Sequence, residues 1–195
     1  RRIRIRVGQP RGDAAAIARQ ALQAGMSVHL ADPSKAGLVA ALEAIAAAQE
    51  AEVKAGRMTP EARDADWARL MPLVGQERLP EAEVVITTRP DLMLPAPRVV
   101  LALGVEPPKG AVALALVQQA EPLAEMVLEG ASTPARAAQA VAFGRRLGWS
   151  VVPVGPGGPV AVALATALAE TVGFLEGRGV PRATIAQALA LAGIA

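Results

Sequence analysis

The chain has no cysteine, no tyrosine, two tryptophans, two phenylalanines and a single histidine. Without thiols there is no disulfide framework, no thiolate nucleophile and no cysteine-ligated zinc. With aromatics at 2% of residues, the sequence lacks the faces on which single-stranded nucleic acids stack. Charge of one sign is also lacking, since 20 Lys and Arg stand against 18 Asp and Glu, a formal charge of +2. The basic residues are scattered except for Arg1, Arg2, Arg4 and Arg6, which alternate with Ile3, Ile5 and Val7. That alternation predicts an edge-exposed strand, not a nucleic-acid patch. The opening residues have no apolar leader core, and no apolar run reaches the ~20 residues of a membrane span. The Ala-rich stretch after Pro159 comes nearest, and Glu170 interrupts it. The expectation is a cytoplasmic protein that binds neither nucleic acid nor membrane.

What is present is apolar and aliphatic. Hydrophobic residues make up 52% of 195 positions, enough for a substantial core packed with Ala, Leu and Val. The chain alternates between two periodicities. Residues 3–7 read as a first strand ending at Gly8. "AAAIARQALQAG" follows as a helix with Asp13 as its cap, and "SVHLAD" is a second strand ending at Asp32. A long helix with Pro33 and Ser34 at its start ends at Gly56, and "MTPEARDADWARLM" is another, with Thr59 as cap and Pro60 at its first position. "AEVVITT" and "RVVLALG" are unbroken apolar runs that fit a parallel sheet buried on both faces. "AVALALV", a helix over "STPARAAQAVAFGRRLG", and a strand at "WSVVPVG" complete the pattern. "GPGGP" at 155–159 then separates two final helices. The predicted fold is α/β, a Rossmann-like, mostly parallel sheet flanked by helices over residues 1–155, with a short all-helical C-terminal extension over 156–195.

The first strand–turn–helix unit has the outline of a dinucleotide site. Such a unit uses glycines for the tight turn and for backbone approach to the pyrophosphate, with an acidic residue about twenty positions on for a ribose hydroxyl. Gly8 and Asp32 stand in two of these roles, and Ala14, Ala15 and Ala16 are small enough for close packing. The middle departs from the pattern. Pro10 removes a backbone donor, Gly12 restores a flexible point, and Asp13 sets a carboxylate where a phosphate would meet the helix N-terminus. A plain strand-to-helix turn explains "GQPRGD" equally well.

Longer stretches carry a more specific resemblance. "AEVKAGRMTPEARDADWARLMPLVGQERLPEAEVVITTRPD", "EPLAEMVLEG", "ARAAQAVAFGRRLGWSVVPV" and "FLEGRGVPRATIAQALALAG" follow one another as their counterparts do in the 3-hydroxyacyl-CoA dehydrogenase family, including 3-hydroxybutyryl-CoA dehydrogenases. The sequence resembles that family from Ile3 to its C-terminus. The resemblance implies an NAD-binding domain followed by the start of a helical domain that pairs two copies into a homodimer. It implies a nucleotide or acyl-CoA ligand, and hydride transfer with a histidine as base and a glutamate orienting it. The cofactor contacts it assigns are Gly8, Gln9, Pro10, Arg11 and Gly12 of the turn, Asp32, and Thr87 and Thr88 at the end of "VVITT". The altered turn implies that NAD affinity is weakened or lost.

Carried over residue by residue, the catalytic motif is empty. The histidine falls on Leu116, the adjoining asparagine on Gln119 and the glutamate on Leu128, with Glu129 one place away. The substrate-contacting Ser/Asn turn falls on Leu103, Gly104, Val105, Glu106 and Pro107, and a later asparagine falls near Ala163. Two helices of the family pattern are shortened or missing, and the sequence given stops where the family continues into further helices. The sole histidine, His29, lies inside the second strand. No catalytic residue and no metal set is assigned. Asp64 and Asp66 read as solvated surface residues and Ser132–Thr133 as a helix cap. Three functions remain open: a nucleotide-binding or assembly protein without dehydrogenase activity, an active NAD-dependent dehydrogenase on a small hydroxyacyl substrate using Glu106 or Glu129, or a purely structural partner.

Overall fold

The computed structural model describes residues 2–6, 12–75, 82–88, 99–103, 107, 110–117, 122–128, 133–155 and 157–193. Its elements in chain order are β1 (Arg2–Arg6), α1 (Gly12–Gln23), β2 (Ser27–Asp32), α2 (Lys35–Lys54), α3 (Pro60–Ala68) and β3 (Leu70–Val74). They continue with β4 (Val84–Thr87), β5 (Val99–Leu103), β6 (Val112–Val117), β7 (Leu123–Val127), α4 (Pro134–Arg146), β8 (Ser150–Val154), α5 (Val160–Gly177) and α6 (Arg182–Leu191). The strands form one sheet in the order β3-β2-β1-β4-β5-β6-β7-β8. The first six are mutually parallel, β7 runs antiparallel to β6, and β8 is parallel to β7. The order 3-2-1-4-5-6 of the parallel part is that of a Rossmann-like nucleotide-binding fold.

Helix α1 shows why the chain folds this way. Ala14, Ile17, Ala18, Ala21 and Leu22 recur at helical spacing and are all buried, so one stripe faces the sheet. The small alanines let the helix lie close to Val28 and Leu30 of β2 and Ile86 of β4, which belong to the same core. In α2 the stripe is Leu38, Ala41, Ile45 and Gln49. Phe143 and Trp149 close the far end of this core, edge to face at 5.9 Å. Gly144 permits that closure, because a Cβ there would lie 2.7 Å from the Val151 side chain and 3.0 Å from that of Met126.

The caps follow the sequence. Ser34, Thr59 and Thr133 each accept a backbone N–H three residues on, and Pro60 and Pro134 open their helices. Several expectations are corrected. β1 is not an edge strand: it pairs with β2 on one side and β4 on the other. α1 begins at Gly12, so Asp13 lies within the helix and is not its cap. The segment after α3 turns into β3, and "LAEMV" forms β7; neither strand was expected. Asp66 is not solvated. It is 3% exposed, accepting from Gln49 Nε2 at 3.0 Å and from Arg69 Nη2, which also donates to the Leu22 carbonyl at 3.1 Å. This network joins the end of α1, the last third of α2 and the end of α3. Burial pushes the Asp66 carboxyl above its ordinary range, against the pull of Arg69 and the Gln49 hydrogen bond.

Candidate functional site

The parallel strands place their carboxyl ends along one edge of the sheet. In open α/β sheets ligands bind outside those ends, where the strand order reverses. Here the reversal is at β1, between β2 and β4. Arg6, the last residue of β1, is in register with Ala31 on one side and Thr87 on the other. Asp32 and Thr88 each stand one residue beyond those partners. The register therefore places Asp32, Thr87 and Thr88 together at the carboxyl ends of β2 and β4, on either side of β1. Gly8, Gln9, Pro10 and Arg11 lie outside the described residues.

Asp32 is held from three directions. Its carbonyl accepts from Gly75 N–H at 3.0 Å, which continues the β2–β3 ladder past Val74. Its Oδ1 accepts from Ser34 N–H at 2.7 Å and from the Ser34 hydroxyl at 2.9 Å. Among the described residues Oδ2 is buried without a hydrogen-bond partner. A buried carboxylate oxygen left with open acceptor capacity is costly, and a ribose hydroxyl is the kind of donor that would satisfy it. Thr87 and Thr88 are buried at the end of β4.

The region assigned to catalysis lies on the same sheet edge, three strand spacings from β1, roughly 14 Å. Leu116 ends up half-buried near the end of β6, packed against the core. The hairpin register pairs Leu116 with Ala124 and leaves Leu128 past the Ala113–Val127 pair, at the opposite end of the strand. Leu116 and Leu128 are therefore not brought together. The carboxylate that does lie in this hairpin is Glu125, which the sequence reading missed. It pairs with Ala115, is 6% exposed, and its Oε2 accepts from the Ala161 N–H at 2.8 Å. Helix α5 follows Pro159, which makes no side-chain cap, so Glu125 supplies that cap from the sheet. Its signal was an acidic residue within the otherwise apolar "LAEMV". His29 sits in mid-strand, paired with Arg4 and Met71, three residues back from Asp32. Glu106 and Glu129 lie outside the described residues.

A cleft of about 520 Å³ separates the end of β6 from α5, lined by Ala115, Leu116, Ala161, Ala165, Thr166 and Glu170 among others. Helix α5 itself has no buried residue, and it carries exposed Val160, Val162, Leu164 and Phe174. With 18 residues and a mean hydropathy of 1.5 it has the length and composition of a membrane-crossing helix.

The strand order and the parallel β1–β6 sheet define a Rossmann-like α/β protein. Residues 14–93 match the family model for the 3-hydroxyacyl-CoA dehydrogenase NAD-binding domain. The match starts after the altered turn and takes in Asp32, Thr87 and Thr88. Among solved structures, the chain is similar to (S)-3-hydroxybutyryl-CoA dehydrogenase PaaH1 from Ralstonia eutropha, with a TM-score of 0.70 at 14% identity over 95% of this chain and 75% of that one. It is similar to FadB2 from M. tuberculosis, with a TM-score of 0.70 at 20% identity over 96% and 76%. It is also similar to 3-hydroxybutyryl-CoA dehydrogenase from Escherichia coli, with a TM-score of 0.63 at 21% identity over 76% and 37%. No curated protein sequence matches.

Proposed function

We propose that this chain binds the adenosine end of NAD through Asp32 and does not carry out the dehydrogenase reaction of the 3-hydroxyacyl-CoA dehydrogenases it resembles. The observation that carries the first half is the Asp32 carboxylate, with Oδ1 held by Ser34 and Oδ2 buried with no partner among the described residues. In this reading Oδ2 accepts a ribose hydroxyl, and Thr87 and Thr88 wall the crevice at the end of β4. Pro10 can donate no hydrogen bond to a pyrophosphate, so affinity is reduced.

The second half rests on Leu116. NAD, when bound, supplies a hydride acceptor, but oxidising a hydroxyl also releases a proton that a base must take. A leucine takes none, and the carboxylate of Glu125 is committed to capping α5. The apolar cleft beside Leu116 supports an acyl group as a second ligand. The exposed apolar surface of α5 supports an assembly role, with two copies joined as a homodimer through the C-terminal helices.

Calorimetric titration with NAD+ and NADH, and an NADH-oxidation assay with acetoacetyl-CoA, test the proposal. Saturable binding is expected, weakened about tenfold by Asp32→Ala, as the loss of a charge-assisted hydrogen bond requires, with no turnover. Absence of saturation at millimolar nucleotide overturns the first half. Turnover near the ordinary enzymatic range of roughly 1–1000 per second overturns the second.

A further inference from the structure

We infer that Gly37 and Ser34 act together as a positioning device for the Asp32 carboxylate, fixing which of its oxygens is left for a ligand. Helix α2 begins at Lys35 with Ser34 as its cap, and the Ser34 hydroxyl oxygen accepts from Gly37 N–H at 3.0 Å. The same hydroxyl donates to Asp32 Oδ1 at 2.9 Å, and the Ser34 backbone N–H donates to that oxygen at 2.7 Å. One hydroxyl thus serves as acceptor for the helix and as donor for the carboxylate, so the orientation of Asp32 is tied to the first turn of α2.

Gly37 completes the arrangement by what it lacks. A Cβ at this position would lie 2.6 Å from Asp32 Oδ1 and 2.7 Å from both its Cγ and Oδ2. Contacts that short are not made by real side chains, so any larger residue pushes the carboxylate off α2. Gly25, Gly56 and Gly75 are different: each has a positive φ, and each has open space where a Cβ would stand. Gly37 has an ordinary helical backbone, in which glycine is a poorer choice than alanine. Its place is explained by the carboxylate packed against it.

The nature of the ligand rests on the NAD reading above, whereas the coupling between Gly37 and Asp32 does not. The test is a cycle of Gly37→Ala, Asp32→Ala and the double variant, with Ser34→Ala beside it, each followed by thermal unfolding and by titration with NAD. Gly37→Ala is expected to lower the melting temperature when Asp32 is present and to raise it in the Asp32→Ala background, where alanine improves the helix. NAD affinity is expected to fall about tenfold in Gly37→Ala and in Ser34→Ala, and to be no lower in the double variant than in Asp32→Ala alone. Equal stabilisation by Gly37→Ala in both backgrounds overturns the inference, as does unchanged NAD affinity in a Gly37→Ala protein that retains its fold. Should the unaltered protein bind no NAD, the nucleotide reading fails while the melting-temperature cycle still decides for or against the coupling.

Discussion

Trp149 donates its indole N–H to Gln20 Oε1 at 2.9 Å, linking α1 to the start of β8 across 129 positions of sequence. The indole is buried and packs edge-on against Phe143. Cutting Gln20 back to alanine leaves a buried donor unpaired, which costs about 1–3 kcal/mol. In a chain of this length each kcal/mol corresponds to a melting-temperature drop of roughly 2–4 °C. Gln20→Ala is therefore expected to melt several degrees below the unaltered protein. In a Trp149→Phe background the same change should cost much less, because the donor is already gone. Thermal unfolding of the single and double variants checks this, and additive losses would show that the bond couples nothing.

Much of the fold was legible because it rests on local rules. Ser34, Thr59 and Thr133 cap helices as side chains of their type do, and the aliphatic run around Val84–Thr87 is buried along its whole length. The failures have a common cause in tertiary context. Arg2, Arg4 and Arg6 alternate with apolar residues as an exposed edge would, yet β1 is central, because pairing on both sides is decided by partners far along the chain. β3 was hidden behind α3: "LMPLV" is short, contains Pro72, and continues the helix without a glycine break. The position of Asp32 was readable, since an acid ending the second strand is a recurrent feature of this fold. The bonds from Ser34 to Asp32, the fit of Gly37 against that carboxylate and the cap from Glu125 were not, because each acts through a neighbour whose distance the sequence does not contain.

Asp66 offers a pH test. Its carboxyl is pushed up by burial, with Arg69 and Gln49 pulling the other way. A carboxyl that binds its proton more tightly folded than unfolded adds stability in its protonated form. That contribution is present below the unfolded pKa and is lost as pH rises through the folded one. The stability difference between the unaltered protein and Asp66→Asn should therefore shift against the unaltered protein as pH rises from the ordinary aspartate range. Denaturant unfolding of both proteins at several pH values measures it. A difference that grows in favour of the unaltered protein over that interval would mean that Arg69 outweighs burial. Asp66→Ala, which removes the acceptor for both Arg69 and Gln49, is expected to cost about 1–3 kcal/mol at neutral pH.

Glu125 accepts from the Ala161 amide and so ties α5 to the sheet. The segment before α5 is rich in glycine, with Gly158 at φ +88. Glu125→Ala should speed amide exchange at Ala161 and along α5 while leaving α1 and α2 protected, because those helices belong to the main core. Glu125→Gln keeps an acceptor oxygen at the same reach and should retain most of the protection. Exchange measured by mass spectrometry on α5 peptides separates the two. Equal protection in the alanine variant would show that packing, not the bond, sets the position of the helix.

The surface of α5 calls for a cover, and the sheet edges do not compete for that role. Both edge strands, β3 and β8, carry an exposed proline within the strand, Pro72 and Pro153, and a proline cannot donate to a further strand. Association through a helical face remains. Leu164 and Phe174 are the most exposed large apolar residues of α5, at 66% and 64%, and a helix apolar on all sides is ordinarily buried. The proposed homodimer predicts a particle of twice the chain mass by light scattering, reduced to single chains by Leu164→Glu with Phe174→Glu. Because neither side chain is buried within its own chain, the melting temperature of the isolated chain should be little changed. A single-chain mass for the unaltered protein at high micromolar concentration refutes the pairing. Dimers that survive both glutamates place the contact elsewhere than on α5.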